Sequence, residues 1–263
     1  MRQCGDSQMG HHGDMALSSR SDTVDDGRVE ALGRILAVWA HPDDETYLAA
    51  GVMARARDLG NEVVVVTATA GETGTPDPDH WPPDRLAKVR LLEVEAAMAV
   101  LGVEDHRYLG RRDGACSAVP WEEAVGELTD IVTETRPDTI LTFGPDGITG
   151  HPDHRAVSCW TVEAWRRAGR RPRLLFATTP PGDLVRFEEL HRELGVFMDG
   201  FRACPSPVEH IELDVVLRGD ELDRKLVALR AQASQTTAIV DHMGECLYRE
   251  WVDRETFVAG PRV

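Results

Sequence analysis

The sequence lacks the features that direct a chain to a membrane or to nucleic acid. No apolar run approaches the roughly 20 residues that span a bilayer, and the first 28 residues lack the apolar core of a signal peptide. Basic residues form no large cluster and the formal net charge is −16, whereas proteins that hold phosphate backbones need positive charge. We therefore expect a cytoplasmic protein that binds neither membranes nor nucleic acid.

Cysteine and glycine motifs that would indicate other classes of protein are also missing. The five cysteines form no C-x-x-C pair and are odd in number, which favours free thiols in a reducing compartment. The turn after the first predicted strand has no G-x-G-x-x-G sequence, which excludes a dinucleotide at that turn. The sequence indicates neither a disulfide framework nor a nicotinamide enzyme.

Two regions differ in composition. Residues 1–28 are polar, rich in Gly, Ser and Asp, and without apolar periodicity, which predicts a flexible tail. Residues 29–263 have the length of one α/β domain. Within that domain, residues 71–83 and 180–207 read as long loops, and long loops beside a site often form lids or specificity walls. For 180–207, a small peripheral subdomain is an equal alternative.

Short β-branched runs alternate with longer helical patterns, which predicts an open, doubly wound, mostly parallel α/β sheet with helices on both faces. We expect strands at Ile35–Trp39, Glu62–Thr67, His106–Leu109, Thr139–Phe143, Leu174–Thr178 and Ile211–Leu213. We expect helices at Thr46–Asp58, Asp84–Leu101, Trp121–Thr135, Pro152–Arg167, Leu184–Leu194 and Asp220–Ala233, with Asp84 as an N-cap. Ligands of such sheets bind beyond the carboxyl ends of the strands.

An unusual group of side chains follows the first strand. The sequence Ala-His-Pro-Asp-Asp-Glu places His41, Asp43, Asp44 and Glu45 within five residues. Three carboxylates at one turn repel one another unless a cation neutralises them. An aspartate before a helix also serves commonly as an N-cap, but a second motif makes a metal site the better interpretation.

The second motif follows the strand Thr139–Phe143. There, Pro152 fixes the start of a helix whose first turn carries His151 and His154 on one side. If the two strands are neighbours, His41, an aspartate and a histidine of this turn converge on one ion. That donor set fits catalytic zinc and equally the Fe(II) of non-haem oxygenases. We expect those oxygenases in an all-β barrel, so the alternating pattern favours zinc.

These motifs resemble those of the PIG-L/LmbE-like family of zinc-dependent N-acetylglucosaminyl deacetylases, which have a Rossmann-like fold. The likeness runs in the family's order over roughly residues 34–235. Besides AHPDDE and GHPDH, it rests on the segments TATAGETG, RLLE, LGV, YLGRRDG, RPDTILT and KLVALRAQASQ.

The resemblance implies a role for each motif residue. His41, Asp44 and His154 bind one zinc ion, although other divalent metals fit too. Asp43 is the general base, and His151 stabilises the oxyanion. Matching family positions that line the sugar pocket are Glu72, Arg90 and Asp113.

The chain departs from the family pattern at two positions. Thr149 stands where members acting on small sugar conjugates often have a tyrosine, and Gln232 stands where the C-terminal motif often has a histidine. The first puts a tyrosine contribution to the oxyanion in doubt. The second puts in doubt any titratable role at that position.

The expected function is hydrolysis of the N-acetyl group of a small-molecule glycoconjugate that carries N-acetylglucosamine. The whole-chain likeness is nearest to deacetylases of glycopeptide-antibiotic pseudoaglycones. The alternatives are a deacetylase of a GlcNAc-inositol conjugate in thiol biosynthesis, an Fe(II) oxygenase on the same triad, and a non-catalytic module that binds sugar or metal. The intact positions Asp43 and His151 disfavour the last of these.

Overall fold

The computed structural model describes residues 28–261. Its strands are β1 (Ile35–Trp39), β2 (Val63–Thr69), β3 (Asp105–Arg111), β4 (Thr139–Phe143), β5 (Arg173–Ala177), β6 (Ile211–Val216) and β7 (Arg254–Ala259). Its α-helices are α1 (Asp44–Asp58), α2 (Pro83–Leu101), α3 (Trp121–Thr135), α4 (Pro152–Arg167), α5 (Pro181–Arg186), α6 (Glu188–Glu193), α7 (Asp220–Ala231), α8 (Ala233–Met243) and α9 (Glu245–Val252).

The strands form one twisted sheet in the order β3-β2-β1-β4-β5-β7-β6. The first five of these strands are parallel, while β7 runs antiparallel to both β5 and β6. Every residue of β1, β2 and β4 is buried, because helices cover both faces of a parallel sheet. The structure therefore confirms the predicted class of fold and adds an antiparallel edge to it.

The helices divide into two packed groups. Helices α1, α2 and α7 contact one another, and α3 packs on α4. Their buried apolar side chains and those of the sheet form one contiguous core. Within residues 28–261, every helix is too short or too polar to cross a membrane. The tail predicted for residues 1–28 falls outside the described residues, except for Arg28.

The six predicted strands and most predicted helices are present, and their ends differ from the predicted ends by at most three residues. Helix α2 corrects one prediction, since its N-cap is Pro82 and Asp84 lies in its first turn. A second correction concerns the predicted helix Leu184–Leu194, which is interrupted at Phe187 and forms the two short helices α5 and α6.

The sequence analysis missed the last three elements, α8, α9 and β7. In β7, the charged residue Glu255 is fully buried, so the strand does not show the apolar pattern of a buried strand. Helix α8 follows α7 with only Gln232 between them. The sequence pattern therefore predicted a single helix, which ended at Ala233, and irregular chain after it.

Candidate functional site

The pairing of β1 with β4 brings the two motifs together. Ile35 lies opposite Thr139 and Ala37 opposite Leu141 in parallel register. The carboxyl ends of both strands therefore lie at the same edge of the sheet, where His41 follows β1 and His151 caps the start of α4. The condition that the sequence analysis set for a shared metal site is met.

Three side chains at this edge face a common point. The Nδ1 atom of His41 lies 3.1 Å from Nε2 of His154 and 3.5 Å from Oδ2 of Asp44, and His154 Nε2 lies 3.4 Å from Asp44 Oδ1. Ligands at 2.0–2.1 Å from a tetrahedral zinc ion lie about 3.3 Å apart. These residues fit a divalent metal and leave its fourth position open.

The other nitrogen of each histidine faces an oxygen atom of the protein. Nε2 of His41 lies 3.1 Å from Oδ1 of Asp113 and 3.4 Å from Oδ2 of Asp153, while Nδ1 of His154 lies 3.0 Å from the carbonyl of Gly147. Such contacts fix the tautomer and the ring orientation of metal-binding histidines. They direct His41 Nδ1 and His154 Nε2 toward the metal position.

Two other sets of donors also converge on His41: one with His151 and His154, and one with Asp113 and Asp153. The two sets involve opposite sides of the His41 ring. A ring nitrogen that carries a proton for a carboxylate cannot bind a metal, so we assign Asp113 and Asp153 to hydrogen bonding. Asp153 was overlooked in the sequence, although it is the aspartate of the HPDH motif itself.

Two of the three metal-facing residues, His154 and Asp44, have protonation states that suit a metal site. Burial would lower the pKa of the third residue, His41, but the surrounding carboxylates outweigh it and raise that pKa. Burial lowers the pKa of His154 to about 4, so its imidazole is neutral near pH 7. Burial would raise the pKa of Asp44, but the adjacent His154 and His41 outweigh it and lower that pKa to about 2. A neutral imidazole and an ionised carboxylate are the forms that bind cations.

Asp43 lies beside these ligands in a strained conformation. Its φ of 107° is rare for a residue other than glycine, and its side chain makes no capping hydrogen bond to α1. Burial raises its pKa to about 7, although Arg90, 3.2 Å from Oδ2, opposes the shift. A carboxylate with that pKa can accept and return a proton near neutral pH.

The neighbouring residue Glu45 holds this conformation. Its buried carboxylate accepts hydrogen bonds from the backbone N–H of Asp43, the hydroxyl of Thr46 and the side-chain amide of Gln232, the last at 2.7 Å. Gln232 therefore has a structural contact with the motif loop. Sequence reasoning assigned no role to Glu45, although it completes the AHPDDE motif.

His151 offers a hydrogen-bond donor at the same site. Its Nδ1 accepts from the backbone N–H of Asp153 at 3.2 Å, so the ring proton lies on Nε2. The ring centroid lies 4.8 Å from that of His41. Burial lowers the pKa of His151, and its neutral form still donates through Nε2.

The three residues predicted to line the sugar pocket lie behind the loop that carries His41 and Asp43. Arg90, only 4% exposed, donates to the carbonyls of Gly71 and Pro42 and to Asp43. Asp113 accepts from the backbone and hydroxyl of Thr73, and its Oδ1 lies 3.1 Å from Nε2 of His41. Contact with substrate stays a prediction for these residues.

Glu72 joins the same network, since its Oε1 accepts from the backbone N–H of Asp113 at 2.9 Å. Gly71 lets Arg90 approach closely. Its φ is +62°, and a Cβ there would lie 2.0 Å from Nη1 of Arg90. The first residues of the first predicted long loop, residues 71–83, therefore contact Arg90 and Asp113 of the site.

A cavity of about 390 Å³ adjoins the metal position. Asp43, Asp44 and His154 form part of its wall, and α5, α6, α9 and residues 196–197 form much of the rest. The second predicted long loop, residues 180–207, therefore contributes to the cavity.

Comparisons with known proteins agree with this geometry. Residues 36–165 match the family model described as "PIG-L: GlcNAc-PI de-N-acetylase". The chain is 35% identical over 260 residues to the 1D-myo-inositol 2-acetamido-2-deoxy-alpha-D-glucopyranoside deacetylase of Kineococcus radiotolerans, an alignment that covers 81% of this chain and 72% of the relative.

Two solved structures share the fold. The N,N'-diacetylchitobiose deacetylase of Pyrococcus horikoshii superposes with a TM-score of 0.61 at 23% identity, over 90% of this chain and 86% of that chain. The A40926 pseudoaglycone deacetylase Dbv21 superposes with a TM-score of 0.58 at 21% identity, over 87% and 97% of the two chains. At these identities the likeness establishes the fold.

Proposed function

Because the chain belongs to the PIG-L family of deacetylases, we propose that it is a zinc-dependent hydrolase that removes the N-acetyl group from a glycoconjugate bearing N-acetylglucosamine. The observation that carries the proposal is the triangle formed by His41, Asp44 and His154, with Asp43 beside it. When bound, zinc supplies a Lewis acid and lowers the pKa of a coordinated water to about 7.

The protein's own side chains supply the proton transfers. Asp43 accepts a proton from the water that attacks the acetamide carbonyl carbon. His151 donates through Nε2 to the carbonyl oxygen as negative charge develops there. Asp43 then returns the proton to the nitrogen as the C–N bond breaks, so the products are acetate and a glucosamine amine.

Two substrate classes follow from the relatives. The Kineococcus relative is named for a GlcNAc-inositol conjugate, and Dbv21 is named for an antibiotic pseudoaglycone. The 35% sequence identity to the Kineococcus relative supports the first class. The second class rests on Dbv21, which is similar to this chain in fold alone. Both classes present an N-acetyl group on glucosamine, so one reaction serves either.

Mass spectrometry of a GlcNAc-conjugate panel incubated with the zinc-loaded protein tests this function. We expect loss of one acetyl group from at least one conjugate, and no loss with His154→Ala. An Fe(II) oxygenase would instead require Fe(II) and 2-oxoglutarate, and the α/β fold argues against it. If the zinc-loaded protein hydrolysed no member of the panel, a module that only binds sugar or metal would replace the proposal.

A further inference from the structure

The cavity beside the metal position is much larger than the acyl group that the proposed reaction removes. Its volume is about 390 Å³, within the range of about 300–1,000 Å³ that holds drug-sized ligands. The methyl group of an acetamide is a small fraction of this. The sugar ring or the aglycone attached to it must therefore fill the cavity, and the chemistry of the wall distinguishes between them.

The wall of the cavity is mainly apolar. Side chains that line it include Leu48, Phe187, Leu194, Val196, Phe197 and Trp251. These side chains come from four separate parts of the chain, namely α1, the α5–α6 segment, residues 194–197 and α9. A hydroxyl group placed against such a surface loses its hydrogen bonds to water without replacement.

The polar side chains of the wall are mostly bound by other protein groups. Thr178 shares a hydrogen bond with Ser206 at 2.8 Å, Arg254 forms ion pairs with Asp183 and Asp214, and Glu255 is bound by Lys225. They do not offer the ring of donors and acceptors that a polyol such as inositol needs.

One buried donor is an exception. His191 lines the cavity and is only 7% exposed. Its Nε2 accepts from Nε1 of Trp251 at 3.0 Å, so Nδ1 carries the proton, and this N–H has no partner among the described residues. The cavity thus combines an apolar surface with a single buried donor.

We propose that this cavity binds an apolar aglycone attached to the N-acetylglucosamine, such as an aryl or alkyl group bearing at most one hydrogen-bond acceptor. The inference rests on the proposed function, which fixes the acyl group as acetyl and leaves the aglycone as the part that varies in size. Asp43, Asp44 and His154 in the wall place the aglycone next to the scissile amide.

The test compares kcat/KM for the methyl, phenyl and hexyl glycosides of N-acetylglucosamine and for its inositol conjugate. We expect the phenyl and hexyl glycosides to exceed the methyl glycoside by at least about tenfold, because their burial removes apolar surface from water. The inositol conjugate should react no faster than the methyl glycoside.

Val196→Asp places a charge in the cavity wall and should remove the advantage of the hexyl glycoside over the methyl glycoside, so that the ratio of their kcat/KM values falls to about one. Leu194→Asn should act in the same direction if Val196→Asp folds poorly. The matched control is Val185→Asp, which changes a 75% exposed valine outside the cavity and should alter neither substrate.

Equal rates for the methyl and hexyl glycosides would overturn the inference, as would a faster reaction of the inositol conjugate. A preference for N-hexanoyl over N-acetyl methyl glycoside would show that the cavity holds an acyl chain instead. Calorimetry with hexyl glucosaminide, which has no amide to hydrolyse, separates this inference from the proposed function. Binding that is weakened about tenfold by Val196→Asp supports the cavity assignment even without turnover, and unaltered binding contradicts it.

Discussion

At the scale of single residues, Asp43 differs from the other carboxylates of the site in three ways. It is not a member of the metal-facing triangle, its backbone is held at a φ of 107°, and burial raises its pKa to about 7. Asp44, one residue further on, has a pKa of about 2. Adjacent carboxylates with separated pKa values perform different tasks, one as a ligand and one as a base.

Asp43→Asn tests this division. The amide keeps the shape of the carboxylate but cannot accept the proton, so kcat should fall by about 10²–10⁴-fold. The metal content, measured by inductively coupled plasma mass spectrometry, should stay at one ion per chain. Asp241→Asn on the exposed surface is the control. A variant with near-wild-type kcat would contradict the assignment of Asp43 as general base.

Gln232 supports a second prediction at this scale. Its amide donates to the buried Glu45 at 2.7 Å, and Gln232→Met removes that donor with little change in volume. Because a buried carboxylate then loses a partner, we expect the free energy of unfolding to fall by about 1–3 kcal/mol. Chemical denaturation measures the loss.

The matched control is Gln235→Met, three positions further on in α8, where the side-chain amide donates to the hydroxyl of the adjacent Ser234. It should cost less than Gln232→Met. Equal losses from the two variants would show that the contact with Glu45 contributes nothing specific.

The sequence predicted by pattern which side chains converge at the site, but not the residues that orient them. His41, Asp44 and His154 converge as their spacing in two motifs indicates. Asp153 and Asp113 bind the far side of His41 only because of the way the loops fold. Hydrogen bonds between distant loops leave no periodic signal, so that part of the site required the structure.

At the scale of elements, an ion pair with no exposed atoms ties β7 and α7 to α1. Lys225 Nζ lies 2.8 Å from Glu255 Oε1, and both side chains are 0% exposed. Glu255 also accepts from the backbone N–H groups of Gly51 and Val52, and Lys225 donates to the carbonyl of Tyr47. The pair thus positions the helix whose first residue is the metal-facing Asp44.

Lys225→Met should lower the free energy of unfolding by about 3–5 kcal/mol, because it leaves the carboxylate buried and unpaired. Adding Glu255→Gln should restore part of that loss, since the neutral amide oxygen needs no counter-charge. Urea denaturation of the single and double variants gives the coupling energy. Asp58→Asn breaks a partly exposed ion pair with Arg224 and should cost less than about 1 kcal/mol. A Lys225→Met loss no larger than this would refute the role of the pair.

The same ion pair explains why the sheet was predicted less completely toward its antiparallel edge. Strand β1 is a continuous apolar run, β4 contains only β-branched, leucine and phenylalanine residues, and both were predicted to the residue. Strand β7 carries Glu255 into the core, and a charged residue in an apolar run conceals a strand from pattern analysis. Its partner Lys225 lies 30 positions earlier, so only the tertiary fold shows that the charge is matched.

At the scale of the whole molecule, a concentration of negative charge at the metal position links the stability of the fold to a bound cation. The net charge is −16, and Asp43, Asp44, Glu45, Asp113 and Asp153 lie around one point. The histidines and Arg90 offset only part of this charge. A divalent cation that binds the folded chain alone shifts the folding equilibrium toward the native state.

Zinc should therefore stabilise the protein by about 2.7 kcal/mol when its free concentration is 100 times its Kd, which corresponds to a rise in Tm of about 5–10 °C for a chain of this size. Differential scanning calorimetry of chelator-treated protein, before and after addition of zinc, measures the shift. His154→Ala removes one corner of the metal triangle and should abolish it. His242→Ala makes the same change at an exposed histidine, 3.4 Å from Glu193, and should keep the full shift. If His154→Ala responded to zinc as the wild type does, the ion would bind elsewhere and His154 would not be a ligand.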